Sequence, residues 1–259
     1  MLDFDGLKVD FTHQIFDKRV LANLVALAEE TNLTKAITAL VAGEQVNKSE
    51  KQSALHIGLR HSEVARETGQ YDSVFDQLQE MADVEKSISE GNRRGYTQKP
   101  FTDIVQIGIG GSHLGSKFLI EALQEHRNDR VRIHFISNVD PNNFLATTKK
   151  LNPETTLFIV VSKSFKTIET ALNFRSARSW FSERTNKSQD FQKHVIAVTE
   201  NVEAAKILGI ENNSIFKIPK AVGGRYSVWS ASSLAAIIYL GSNTFHRFLN
   251  GAAKACLLY

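Results

Sequence analysis

The sequence predicts an α/β protein in which a helical N-terminal region, residues 1–100, precedes a doubly wound parallel sheet with helices on both faces, residues 101–259. Apolar residues in the first region recur at helical spacing. A glycine-containing stretch that ends at Pro100 interrupts this pattern. From Asp103 onward, short β-rich runs alternate with helical stretches, which is typical of parallel strands joined by crossover helices.

Three segments of the N-terminal region have apolar side chains at every third or fourth position, which places these side chains on one face of a helix. The segments are Lys18–Glu30, Leu33–Val41 and Val74–Ile88. Gly43 follows the second segment, and we expect that helix to end there because glycine readily terminates helices. The 259-residue chain is 42% hydrophobic and 23% charged, a composition typical of a globular protein with a sizeable core.

Short apolar runs after residue 100 predict the strands of the sheet, and the segments between them predict helices. The predicted strands are Ile104–Ile107, Val131–Ile136, Leu157–Val161, His194–Val198 and Ser214–Ile218. The predicted connecting helices are Leu114–Leu123, Asn142–Lys150, Ile168–Phe181 and Val202–Ile207. Two further helices are predicted over Tyr226–Leu240 and Phe245–Ala255.

Charge and cysteine content argue against several classes of function. The net charge of +3 includes no dense block of Lys or Arg, so nothing points to a nucleic-acid partner. The single cysteine, Cys256, cannot form an intramolecular disulfide and fits a reducing compartment. The sequence has no apolar run of membrane-spanning length and no signal-peptide pattern, so we expect a cytoplasmic protein without a membrane partner. The eight histidines form no metal-binding motif, and we expect no metal site.

A first glycine-rich motif, Gly108–Ser116, follows the first predicted strand and opens a helix. Glycines permit a tight turn and close approach of the backbone to a ligand, and a helix N-terminus attracts anions. The motif is neither a dinucleotide fingerprint, because His113 replaces a required glycine, nor a P-loop, because Ser116 follows Gly115 where that motif has lysine. An anion site and a tight turn with a capped helix both remain open for this motif.

A second motif, Ser162–Thr170, follows the third predicted strand and contains four hydroxyl side chains and two lysines. Ligands of open α/β sheets bind at the carboxyl ends of the strands, so this turn and the first motif are expected to face one crevice. Hydroxyl, amide and ammonium groups suit the oxygens of a phosphate monoester. The alternative is a polar loop in which a serine or threonine caps the next helix.

A third motif, Val222–Ser230, follows the last predicted strand. Its glycines allow close backbone approach, and Arg225 carries a charge that is permanent at neutral pH. Such a cation can stabilise an oxyanion that develops in a transition state. The alternative is an arginine in a salt bridge at the start of a helix, with Tyr226 and Trp229 as core aromatics.

The order and spacing of the three motifs resemble those of the phosphoglucose isomerase family. The resemblance extends from about Gly43 to about Gly251 and includes several shorter matches. These matches are Gly43–Glu44, Ala54–Arg60, Gly95–Thr97, Phe135–Asp140 and Asn152–Thr156.

The resemblance implies a sugar-isomerase domain, built as a parallel α/β sandwich, of a homodimeric enzyme. This family interconverts glucose 6-phosphate and fructose 6-phosphate through an enediolate, without metal or organic cofactor. The resemblance also implies that Arg225 and Gly224 face the reacting carbons, and that Glu169 supports a histidine from the partner subunit. It further implies that Gly111 and Ser112 line the sugar pocket, and that Ser162, Ser164, Thr167 and backbone amides near Lys163 bind the phosphate.

The chain departs from the family pattern at a few positions and in length. His113 and Ser116 replace aspartate and proline, while Ser164, Lys166 and Ile168 replace threonine, threonine and glutamine. The family has a second sugar-isomerase domain, which supplies the catalytic glutamate, the ring-opening histidine and a late lysine. We expect these groups to lie beyond the present sequence, and we expect a truncated chain with negligible isomerase activity alone.

Two alternatives to the isomerase remain. A non-enzymatic phosphosugar-binding module would keep the second motif and need no catalytic base, although the third motif has no evident purpose there. A nucleotide-binding domain is disfavoured because the first motif fails both glycine patterns.

Overall fold

The N-terminal part of the computed structural model consists of a small hairpin and two helices. The structure describes residues 2–4, 7–15, 17–60 and 72–256. Strand β1, Leu2–Phe4, pairs antiparallel with strand β2, Leu7–Val9. Helix α1, Lys18–Glu30, and helix α2, Leu33–Val41, have the predicted bounds.

Helices α1 and α2 form regular structure without joining the core. Asp17 caps α1 by accepting a hydrogen bond of 2.9 Å from the amide of Val20. Neither helix contains a buried residue. The apolar side chains that predicted α1 are about half exposed, with Leu21 at 50% and Leu24 at 52%. Within the described residues, these two helices therefore gain little free energy from apolar burial.

Two further helices connect the N-terminal region with the sheet. Helix α3, His56–Arg60, places Leu59 against the buried Val222. Helix α4, Asp72–Ser89, contains the predicted segment Val74–Ile88 and buries Met81 and Ile88 in the main core. Helix α4 thus forms part of the layer that covers the sheet.

The central sheet has five parallel strands. They are β3 (Asp103–Ile107), β4 (Arg132–Ile136), β5 (Thr156–Val161), β6 (Val195–Thr199) and β7 (Ile215–Lys217). All five predicted strands are confirmed, although the predicted ends at Val131, His194, Ser214 and Ile218 lie one residue outside the observed strands. The spatial order is β4-β3-β5-β6-β7, so the winding direction reverses at β3, as in doubly wound sheets.

Helices cover both faces of the sheet and complete a three-layer sandwich, which confirms the predicted fold class. The helices that follow β3 are α5 (Gly111–Ala122), α6 (Pro141–Thr148), α7 (Ile168–Thr185), α8 (Val202–Ile207), α9 (Leu234–Leu240) and α10 (Ser242–Cys256). Successive strand residues point to opposite faces, so Ile104 and Val105 belong to different core clusters. Helices α4, α5, α9 and α10 pack around Ile104, whereas α6, α7 and α8 pack around Val105.

The predicted helix Tyr226–Leu240 is wrong as a single element. The chain instead forms 3-10 helices over Gly224–Trp229 and Ala231–Ser233 before α9 begins at Leu234. Ser230 is extended, and its hydroxyl donates to the carbonyl of Ser227 at 2.7 Å. Serine side chains that bond to nearby backbone compete with helical hydrogen bonds, which explains the break.

Candidate active site

A cleft of about 410 Å³ opens at the carboxyl ends of β3 and β5. This position flanks the strand at which the sheet reverses its winding, where open α/β sheets bind their ligands. The cleft is lined by Ile109, Ser112, Val161, Ser162, Lys163, Ser164, Thr167, Thr170 and Glu200. Five of these side chains carry hydroxyl groups, so the lining suits a ligand rich in hydrogen-bond acceptors.

The first predicted motif forms the turn between β3 and α5. A Cβ atom at Gly108 would lie 2.6 Å from the carbonyl oxygen of Ser112, so this position requires glycine. Gly110 has a φ of +57° and precedes the first residue of α5. Gly110 has no side chain, so the N-terminus of α5 lacks a side-chain cap. Ser112 therefore lies in the first helical turn and lines the cleft instead of capping the helix.

The second predicted motif forms the turn between β5 and α7. The hydroxyl oxygen of Ser162 accepts from the amide of Phe165 at 3.2 Å, and that of Ser164 accepts from Lys166 at 3.2 Å. Phe165 has a φ of +55°, a left-handed conformation that tightens the turn. Thr167 occupies the N-cap position of α7, but its side chain makes no capping hydrogen bond. The hydroxyl of Thr167 is thus not used by the helix.

Both the side chain and the backbone of Lys163 are held by hydrogen bonds. Its ammonium group donates to the carbonyl oxygens of Lys220 at 2.8 Å and Val222 at 3.1 Å. Its own carbonyl oxygen accepts from the amide of Glu200 at 2.9 Å and from the hydroxyl of Thr199 at 3.1 Å. Lys163 therefore links the turn after β5 to the end of β6 and to the segment after β7.

The third predicted motif packs against the start of α5. A Cβ atom at Gly111 would lie 2.6 Å from the carbonyl oxygen of Gly224. The hydroxyl of Ser227 lies 2.7 Å from that same oxygen and 3.2 Å from the carbonyl oxygen of Gly111. The glycines that the sequence singled out in two separate motifs therefore meet in one close backbone contact.

Two predicted catalytic residues lie outside the lining of the cleft. Arg225 directly follows Gly224, is exposed and forms no ion pair with a residue that the structure describes, so the salt-bridge alternative has no support there. Glu169 is half-buried in the first turn of α7, where the helix dipole favours a carboxylate. Trp229 stacks on Phe248 with ring centroids 4.6 Å apart, which matches its expected packing role.

His113 does not face the cleft, although it follows Ser112. Its ring packs edge-on against Phe135 at a centroid distance of 5.0 Å, and its Nδ1 atom is buried without a hydrogen-bond partner. Burial, together with the nearby Lys117 ammonium, lowers the pKa of His113 below its ordinary value. His113 is therefore not part of the cleft lining.

Glu200 is the cleft residue that sequence reasoning missed. It directly follows Thr199, the last residue of β6, and its amide donates to Lys163. A polar residue at the carboxyl end of the strand beside β5 is the signal that points to it. Among the described residues, no cluster of His, Cys, Asp and Glu is arranged for a metal ion. No described helix combines the length and hydropathy that a membrane span requires.

Comparisons with known proteins agree on one family. Residues 10–256 match the phosphoglucose isomerase family model. The chain is 40% identical to a glucose-6-phosphate isomerase of Helicobacter pylori (strain Shi470) over 255 residues, which are 97% of this chain and 47% of that protein. It is also 40% identical to the enzyme of Shewanella sediminis over 251 residues, covering 95% of this chain and 46% of that protein.

Structural comparison leads to the same family. The crystal structure of a glucose-6-phosphate isomerase from Chlamydia trachomatis matches with a TM-score of 0.75 and 29% identity, covering 93% of this chain and 46% of that chain. The present chain thus spans about half the length of the relatives it matches. Because the family model covers nearly all of the sequence, the chain belongs to the phosphoglucose isomerase family.

Proposed function

We propose that the cleft binds a hexose 6-phosphate, and that the chain contributes this site to an enzyme that interconverts glucose 6-phosphate and fructose 6-phosphate. The observation that carries the proposal is the turn Ser162–Thr167, whose hydroxyls line the cleft at the N-terminus of α7. A helix N-terminus with free donors is a favourable site for a phosphate group.

The hydrogen bonds within this turn leave its hydroxyls able to donate. Ser162 and Ser164 use their oxygens to accept from backbone amides, so each hydroxyl hydrogen is available to a ligand. The hydroxyl of Thr167 is not used as a cap. A phosphate dianion offers several strong acceptor oxygens, and we propose that it binds to these three side chains and to backbone amides near Lys163.

The sugar is proposed to extend from the phosphate toward the contact between α5 and the 3-10 helix. Gly111 and Ser112 would line the sugar, and Gly224 would allow the backbone to approach it. Arg225, which follows Gly224, would lie beside the reacting carbons. In a homodimer, Glu169 would support a histidine from the partner subunit. We propose a cytoplasmic location for the enzyme.

The proposed reaction moves a proton between neighbouring carbons through an enediolate. The permanent charge of Arg225 would stabilise the developing oxyanion. Binding of the remote phosphate would contribute free energy that orients the reacting end of the sugar. A positioned general base and a ring-opening acid are also required, and each contributes roughly 10²–10⁴ in rate. We propose that this chain by itself has negligible isomerase activity.

Titration of the purified chain tests the binding proposal. We expect saturable binding of fructose 6-phosphate, and no binding of NAD or ATP at the same concentrations. Replacing Thr167 with valine keeps the shape of the side chain but removes one hydroxyl, and this should weaken fructose 6-phosphate binding by about 10-fold. The control is Thr185→Val at the opposite end of α7, where the hydroxyl donates to the carbonyl of Phe181.

Absence of fructose 6-phosphate binding, or equal effects of Thr167→Val and Thr185→Val, would contradict the proposal. A coupled assay for glucose 6-phosphate formation tests the second part. Normal turnover by the purified chain would show that it already contains the general base and the ring-opening acid.

A further inference from the structure

We propose that Lys163 is a positioning residue, whose ammonium group holds the Gly224–Arg225 segment beside the cleft and does not bind the phosphate itself. This inference rests on the proposed function, because it assigns the phosphate to the hydroxyls of the turn and the sugar to the Gly224–Arg225 segment. It predicts that Lys163 affects recognition of the sugar more than recognition of the phosphate.

The ammonium group of Lys163 points toward backbone carbonyls that follow β7. The residue lines the cleft, but its Nζ atom lies 2.8 Å from the carbonyl oxygen of Lys220 and 3.1 Å from that of Val222. An ammonium group has three donors and no acceptor, so two of its three donors are used by backbone carbonyls. Charge-assisted hydrogen bonds of this length are stronger than neutral ones.

The backbone of Lys163 is itself held by hydrogen bonds. Its carbonyl oxygen accepts from the amide of Glu200 and the hydroxyl of Thr199, which lie at the end of β6. The preceding residue, Ser162, donates its amide to the carbonyl of Val198 at 3.0 Å. The ammonium group therefore extends from a backbone position that is hydrogen-bonded to the end of β6, and it can hold a neighbouring segment in place.

The segment that Lys163 holds leads to the proposed sugar site. The carbonyl of Ala221, between the two carbonyls bound by Lys163, accepts from the amide of Leu55 at 3.0 Å. The side chain of Val222 is fully buried. The chain then passes through the extended Gly223 to Gly224, whose carbonyl lies against Gly111. Lys163 and Leu55 thus fix the three successive carbonyls of residues 220–222, from which the chain leads through two glycines to Arg225.

Lys166 provides a matched comparison within the same turn. It is exposed, and its ammonium group makes no hydrogen bond or ion pair with the residues that the structure describes. Removing its charge changes the electrostatic potential of the turn without releasing the Gly224–Arg225 segment. Lys166→Met is therefore the control for Lys163→Met, since methionine keeps an unbranched stem in both variants.

The test measures affinity for fructose 6-phosphate and for inorganic phosphate in the wild-type chain and in both variants. Because Lys163→Met loses the two charge-assisted bonds, its affinity for fructose 6-phosphate should be about 10-fold or more lower than that of the wild type. Its affinity for inorganic phosphate should change by less than about 3-fold. Lys166→Met should lower the affinity for both ligands slightly and equally. If Lys163→Met lowered the affinity for both ligands equally, this would show that the ammonium group binds phosphate directly, and it would overturn the inference.

A double-mutant cycle tests whether Lys163 acts through Arg225. If it does, Lys163→Met should have little further effect on fructose 6-phosphate affinity in an Arg225→Met background. Additive effects of the two substitutions would contradict a role through this segment.

A ligand-free measurement keeps the inference separate from the proposed function. Amide hydrogen exchange over residues 223–230 should be faster in Lys163→Met than in the wild type and in Lys166→Met, while exchange in β3 and β5 stays unchanged. Unchanged exchange over residues 223–230 would overturn the inference even if the chain binds the sugar phosphate. Failure of the wild type to bind fructose 6-phosphate would reject the proposed function, and the exchange result would still decide whether Lys163 positions the segment.

Discussion

At the residue scale, the structure assigns a stabilising role to Asp103, a residue that the sequence did not single out. Its buried carboxylate binds Arg132 through two hydrogen bonds of 2.8 and 2.7 Å, and it lies 2.9 Å from the Nε2 atom of His134. Burial acts to raise the pKa of Asp103, but hydrogen bonds from His134, Arg132 and Thr102 outweigh it and hold the pKa well below its usual range.

This shift predicts a specific dependence of stability on pH. A carboxyl group whose pKa is lower in the folded state stabilises the fold above its unfolded pKa of about 3.9, and this contribution is lost as the pH falls toward the folded pKa. We expect Asp103→Asn to lower the free energy of unfolding by about 1–3 kcal/mol near neutral pH. The difference from the wild type should shrink below about pH 4.

Urea denaturation of both proteins at a series of pH values measures this difference. A gap between wild type and Asp103→Asn that stays constant as the solution is acidified would contradict the assigned role of the carboxylate.

The contact between Gly111 and Gly224 gives a second prediction at this scale. A methyl group at position 111 would lie 2.6 Å from a backbone oxygen, so the backbone must move to accommodate it. We expect Gly111→Ala to weaken fructose 6-phosphate binding by at least about 10-fold through displacement of the segment that carries Arg225. Calorimetric titration checks this result.

Gly251→Ala is the matched control for this glycine. Position 251 lies in α10 and has open space around it, so alanine there should stabilise the helix by about 0.5–1 kcal/mol and leave binding unchanged. Normal sugar-phosphate affinity in Gly111→Ala would contradict the role of this contact in shaping the site.

Individual site residues differed in how far the sequence could predict them. Ser112, Ser162, Ser164 and Thr167 lie in the glycine-rich and hydroxyl-rich turns that the sequence singled out, although only the resemblance to the isomerase family named them individually. The structure brings all four to one cleft. The contacts of Lys163 were not predictable, because its partners are backbone carbonyls more than fifty residues away that leave no mark on side-chain identity.

At the scale of elements, α1 and α2 have the predicted bounds but bury no side chain among the residues that the structure describes. Helical stability in proteins comes mainly from packing of an apolar face, and both helices contain no buried residue. We expect Leu24→Ala in α1 to change the free energy of unfolding by less than about 1 kcal/mol, as for an exposed side chain. In contrast, Phe158→Ala in the fully buried β5 should cost about 3–5 kcal/mol.

Chemical denaturation followed by tryptophan fluorescence compares these two variants, because both tryptophans lie in the sheet-containing part of the molecule. A cost for Leu24→Ala as large as that for Phe158→Ala would show that α1 is packed against the core in solution.

Strands and helices were predicted correctly where no local side-chain hydrogen bonds compete with the structure that the apolar spacing indicates. The three central strands, β3, β5 and β6, were predictable because each is a short, mostly apolar run that is buried on both faces of the sheet. The break before α9 was missed because apolar residues of Tyr226–Leu240 suit a helix, while Ser230 and its neighbours bond locally to the backbone instead.

At the scale of the whole molecule, the strand order brings the motifs together. The sequence predicted parallel strands, but the order in which they lie side by side follows from tertiary packing. With β3 between β4 and β5, the turns after β3 and β5 become neighbours at one end of the sheet. The chain spans about half the length of its isomerase relatives, and ligand binding at the proposed site can be measured on this chain by itself.

The most direct measurement is a crystal structure of the chain soaked with fructose 6-phosphate. We expect the phosphate within about 3 Å of the hydroxyls of Ser162, Ser164 and Thr167, with the sugar extending toward Gly111 and Arg225. An empty cleft, or a phosphate bound away from this turn, would contradict phosphate binding by the Ser162–Thr167 hydroxyls.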